Sequence, residues 1–100
     1  MKKPNFLDEA FENVCHELLQ MFLKKHKDYG KGNILDTGEM GILFRVSDKV
    51  NRLKHLVGNK KSPHNETKDE TWIDIAVYAV IAVLYNRGWF QKLQVKKHDK

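Results

Sequence analysis

Apolar residues recur at helical spacing in three separated stretches of the chain. Advancing about 100° per residue, Leu7, Ala10, Phe11, Val14, Cys15, Leu18, Met21 and Phe22 gather on one side of a helix, while Glu9, Glu12, His16 and Gln20 fall opposite. This spacing predicts an amphipathic helix over about 5–29. Asn5 is its expected N-cap, Lys24, Lys25, His26 and Lys27 suit the negative end of the helix dipole, and Gly30 supplies a stop. Between Tyr29 and Gly41 the sequence holds four glycines among polar residues, which predicts a long loop able to bring backbone amides close to a ligand. A second helix over about 38–57, opened by the capping-box-like pair Asp36 and Glu39, is expected to bury Ile42, Val46, Val50, Leu53 and Val57. Its other side carries Arg45, Asp48, Arg52 and His55.

Gly58 to Glu66 is turn chemistry, and the spelling Thr67-Lys68-Asp69-Glu70 reads as a capping box that starts a third helix over about 67–87. Trp72, Ile73, Ile75, Ala76, Val77, Ala79, Val80, Ala82, Val83 and Leu84 surround nearly the whole circumference of that helix, leaving Glu70, Asp74, Tyr78 and Tyr85 as a polar strip. An element so apolar has to be covered on nearly all sides. The predicted fold class is therefore all-α: a compact bundle of three main helices, about 5–29, 38–57 and 67–87, completed by homo-oligomerisation through the third helix. A turn back at Trp89-Phe90 would cover part of the same surface. One helical domain over 1–91 and a basic tail over 92–100 are expected, with no strand pattern and no internal repeat.

Composition narrows the class. A chain of 100 residues with 31% charged and 41% hydrophobic residues has room for one core, which excludes a multidomain enzyme. The longest apolar run, Ile75 to Tyr85, falls well short of the roughly 20 residues that a membrane span needs, and the first residues carry no signal-type apolar region. A lone cysteine, Cys15, offers neither an intramolecular disulfide nor a paired-cysteine zinc site, so a cytoplasmic location is expected. The net charge of +5 resides entirely at the two ends, because 12 basic and 12 acidic residues balance between Pro4 and Gln91. The Lys-rich tail thus reads as a solvated end, and contact with nucleic acid is expected only nonspecifically through it.

Two constellations could carry chemistry. Arg45, Lys49 and Arg52, with Lys25 and Lys27, are the groups suited to phosphate, since guanidinium offers a bidentate fork and lysine a point charge. A salt-bridged outer face, with Asp48 between Arg45 and Arg52, would use the same residues. Glu70 and Asp74, one helical turn apart, could supply oxygen ligands to Mg²⁺, or Asp74 could pair with Arg45 or Arg52. Tyr29, Tyr78, Tyr85 and Trp72 could stack a base or fill the core. His16 and His26 lack a nucleophile partner and read as surface residues.

Three blocks also carry a resemblance: Lys25-His26-Lys27-Asp28-Tyr29-Gly30, the run from Gly41 to Leu56, and the run from Glu66 to Ala79. Together they resemble the nucleotide-modification-associated domain family of bacteriophages and their hosts. The family's KxxDYG block falls on Lys25, Asp28, Tyr29 and Gly30, its RxxDKxxRL block on Arg45, Asp48, Lys49, Arg52 and Leu53, and its acidic block on Glu66, Glu70, Thr71, Asp74 and Tyr78. Glu70 replaces the aspartate that the family places before the threonine. More distantly, the third helix is similar to the last acidic helix of the all-α MazG-like nucleoside triphosphate pyrophosphohydrolases. Those enzymes hold Mg²⁺ with an ExxE and an ExxD pair, whereas this chain has only Asp48 on the second helix and a wider Glu70-x-x-x-Asp74 spacing.

The resemblance implies a phage-type protein of the host cytoplasm associated with nucleotide metabolism, and the first functional expectation is that it sequesters a phosphate-containing nucleotide or nucleotide signal without turnover. Its nucleotide-binding residues would be Lys25, Lys27, Asp28, Tyr29, Arg45, Lys49, Arg52 and Tyr78, and no cofactor is required. In the alternative, a Mg²⁺-dependent pyrophosphohydrolase, Asp48, Glu70 and Asp74 would hold the metal. A non-catalytic adaptor is the third expectation.

Overall fold

The computed structural model of the chain describes residues 3–58 and 65–96, with side chains from residue 68 onward in the second stretch. It is all-helical in these residues: α1 spans Leu7–Tyr29, α2 Gly32–Gly58, α3 Asn65–Asn86 and the short α4 Trp89–Lys92. The helix α3 is central, with α2, the C-terminal half of α1, and α4 packed against it. Buried Ile34 and Ile42 of α2, Val77 and Ile81 of α3, and Phe90 of α4 form the core, flanked by half-buried Leu18, Met21 and Phe22 of α1. The expected turn back at Trp89-Phe90 exists, and it drives Phe90 into that core.

Three local expectations are corrected. The N-cap of α1 is Phe6, not Asn5; the Asn5 backbone N–H instead donates to the Glu9 carboxylate at 3.2 Å, so the first turn is closed by an acid from inside the helix. The polar stretch after Gly30 is not a loop, because residues 32–37 form a first helical segment of α2 that continues past a break at Gly38. Ile34 explains the segment: its burial in the core holds these residues against α3. Finally, α3 begins at Asn65, two residues before Thr67; the expected capping box and the turn over residues 59–64 lie outside the described residues.

Two backbone breaks give the chain its course. Gly30 (φ 67, ψ −157) and Gly38 (φ 66, ψ −158) adopt the same conformation, one that is essentially restricted to glycine. Gly30 ends α1, its N–H bonded to the His26 carbonyl at 2.8 Å, and Gly38 bends α2 so that residues 39–58 run along α3. Thr37, expected near the start of the second helix, bonds the Asn33 carbonyl at 3.2 Å and so belongs to the turn before the bend.

The bundle is less compact than the sequence suggests. Its radius of gyration is 15.4 Å, against about 13 Å for a compact domain of 100 residues. No residue of α1 is buried, and its apolar stripe runs past the end of its packing partner, leaving Leu7 87% and Phe11 72% exposed. On α2 the predicted buried stripe holds for Ile42 and Leu53, Val46 is half-buried, and Val50 and Val57 stay exposed. Within the described residues of the single chain, α3 keeps one side exposed, at Trp72, Ala79, Val80 and Val83.

Gly38 therefore sets a testable constraint. A Cβ there would require a strained backbone and would sit 3.1 Å from the Tyr85 hydroxyl, so Gly38→Ala is expected to destabilise by about 1–3 kcal/mol. Gly58→Ala, which meets open space at an ordinary φ, should be neutral or mildly stabilising. Urea unfolding of both variants checks the contrast, and an unchanged midpoint for Gly38→Ala would contradict it.

Candidate functional site

The last turns of α1, the first turn of α2, the middle of α3 and Phe90 of α4 enclose one open cavity of about 290 Å³. That volume lies at the lower end of the range for small-molecule sites. Lys25, His26 and Tyr29 reach it from α1, Asn33 and Arg45 from the two sides of the α2 bend, and Tyr78 from α3, over an apolar base that includes Phe22, Ile34, Ile81 and Phe90. The glycine breaks at 30 and 38 make this convergence possible, since they turn the chain twice between Tyr29 and Arg45.

Charge in the site is organised by one acid. The Asp74 carboxylate accepts a hydrogen bond from Lys49 Nζ at 2.9 Å and pairs with Lys25 Nζ at 3.5 Å, so a single anion on α3 ties together both flanking helices. These partners correct the expected pairing with Arg45 or Arg52. Helical geometry supplies the reason: Lys49 lies about 40° from Arg45 toward the buried stripe of α2, whereas Arg52 lies about 20° away from it. Lys25 also sits over the Tyr78 ring, 5.7 Å from its centroid.

Arg45 is left in a different state. Its Nη2 approaches the Asn33 carbonyl at 3.4 Å, and its Nη1 is buried without any hydrogen-bond partner. A buried guanidinium nitrogen with no acceptor is costly, and the cavity that Arg45 lines is where an acceptor could enter. Lys25, Lys49 and Arg45 carry three positive charges against the one carboxylate of Asp74, so the cluster favours an anion.

Of the expected nucleotide-binding residues, Lys25, Tyr29, Arg45 and Tyr78 line the cavity, and Lys49 adjoins it through Asp74. Lys27, Asp28 and Arg52 are exposed and do not line it. Asp48 and Glu70 are also exposed, and Asp48, Glu70 and Asp74 are not gathered into a group of metal-ligating side chains; none of three or more such residues occurs among the described residues. The sequence reading missed His26 and Asn33. His26 stacks on Phe22 with ring centroids 5.4 Å apart, a contact that their one-turn spacing already allowed. Asn33 matters through its backbone carbonyl, which leaves no mark in a sequence.

Compared with protein-family models, with curated proteins and with solved structures, the chain matches none. No helix among the described residues is long and apolar enough to cross a membrane.

Removing the Asp74 charge leaves two half-buried ammonium groups facing each other without a counterion. Asp74→Asn is expected to lower stability by about 1–3 kcal/mol, while Asp48→Asn, on an exposed side, should change it by less than about 0.5 kcal/mol. Chemical denaturation of the two variants measures the difference, and equal effects would show that Asp74 is not the organising acid.

Proposed function

We propose that this protein is a phage-type nucleotide-binding protein that holds a phosphate-containing nucleotide without turning it over. The observation that carries the reading is the unpartnered, buried Nη1 of Arg45 in a cavity that also presents Lys25. A phosphate oxygen is the acceptor that a guanidinium fork fits best, and it would relieve the one buried side-chain donor left unmet among the described residues. Tyr29, Tyr78 and His26 border the same space, and their rings are the groups there suited to a base or sugar. Arginine contacts phosphate directly, so this mode of binding needs no metal ion.

Thermal melting in the presence of EDTA against nucleoside mono-, di- and triphosphates and cyclic nucleotides tests the reading. A bound nucleotide in hundred-fold excess over its Kd is expected to stabilise the protein by about 2.7 kcal/mol. Arg45→Ala should abolish that gain, and chromatography should return the ligand intact. Absence of any stabilising nucleotide, or a gain undiminished in Arg45→Ala, would overturn the reading. Recovery of cleaved ligand from samples containing Mg²⁺ would instead favour a pyrophosphohydrolase.

A further inference from the structure

Among the described residues that line the cavity, Lys25 and Arg45 are the ones with a formal charge, and both are cations. Asp74 adjoins the cavity through its lysines: it holds Lys49 at 2.9 Å and Lys25 at the longer 3.5 Å, so Lys25 is the less closely neutralised of the two. Lys25, Lys49 and Arg45 against that single carboxylate leave an excess of two positive charges. A ligand that balances the site therefore carries about two negative charges.

The donors narrow the ligand further. Arg45 has its Nη1 without a partner, and its Nη2 lies 3.4 Å from the Asn33 carbonyl, longer than an ordinary N–H···O bond, so the guanidinium fork is free to take two oxygens. Lys25 adds an ammonium from α1. A phosphomonoester has three free oxygens and carries about −1.5 to −2 charges at neutral pH, which suits a fork, an ammonium and a two-charge excess together. A phosphodiester or cyclic phosphate has two free oxygens and a single charge, so the fork alone would use it up and leave Lys25 unmet. A triphosphate brings further negative charge for which the lining holds no further cation. A divalent ion that offsets such charge is anchored by carboxylates, and among the described residues none lines the cavity, Asp74 being held between two lysines.

Building on the nucleotide-binding reading, we infer that the ligand class of this cavity is the nucleoside monophosphate, bound as a phosphomonoester dianion whose three free oxygens are divided between Arg45 and Lys25. Charge and oxygen count specify the phosphate, and the rings of Tyr29, Tyr78 and His26 speak for the nucleoside, so the two parts can fail separately.

Titration calorimetry on the wild-type protein, at a pH about two units above the second phosphate ionisation near pH 6, provides the test. The probes are the monophosphates of the common ribonucleosides and deoxyribonucleosides, the methyl ester of each monophosphate, the corresponding triphosphates, and ribose phosphate, which has the phosphomonoester without a base. At least one monophosphate is expected to bind about ten-fold or more tightly than its own methyl ester and its own triphosphate, the margin of one charge-assisted contact. In Lys25→Gln the margin over the methyl ester should largely vanish, because the third oxygen then meets no cation. The comparison of ligands on the wild type does not depend on that variant folding. A methyl ester or a triphosphate that binds as tightly as the monophosphate, in EDTA or with Mg²⁺, would overturn the inference and leave nucleotide binding standing. Ribose phosphate binding as tightly as any nucleotide would overturn the nucleoside part and leave a phosphomonoester site. Absence of binding by every probe would overturn both.

Discussion

The structure depends on the need to cover one helix. Apolar residues surround α3 on nearly all sides, and among the described residues α2, part of α1 and the single turn of α4 shield it. Burial of apolar surface is the dominant stabilising term in folding, so these elements take up the positions that cover Val77 and Ile81. What they do not reach stays in water. The long α1 carries this imbalance furthest: it has an apolar stripe along its length, packs with its C-terminal half, and buries no residue.

Within the covered half, Asp74 is the polar constraint. Its carboxylate lies between α1 and α2 and fixes Lys25 and Lys49 together, which sets how the two outer helices approach the central one. A half-buried ion pair of this kind adds little to net stability compared with apolar packing, yet it penalises arrangements that leave its charges unmatched. The same arrangement leaves Arg45 at the rim of a cavity with a donor unmet. Packing and charge shape this cavity jointly: the glycine breaks bring its lining residues together, and the cations that outnumber the Asp74 carboxylate give it a positive potential.

Much of the architecture is readable from hydrophobic spacing, because three amphipathic or apolar periods separated by glycine-rich or polar stretches leave few alternatives to three helices. The segment over residues 32–37 is not readable in that way. Its only anchor is Ile34, a single apolar position among polar ones, and its bend relies on a backbone conformation at Gly38 that the residue permits without requiring. At the site, Lys25, Tyr29, Arg45 and Tyr78 could be named from residue chemistry and motif. The partner of Asp74 could not be chosen by chemistry alone, since arginine and lysine are both suitable; the angular position of Lys49 beside the buried stripe decides it. The contribution of Asn33 comes from its main chain and is invisible before the fold is known.

The constraint at Asp74 is tested most directly by a double-mutant cycle between Asp74→Asn and Lys49→Gln, read by chemical denaturation. Because the two side chains are in contact, an interaction energy of about 0.5–3 kcal/mol is expected between the two substitutions. Strictly additive effects would contradict it.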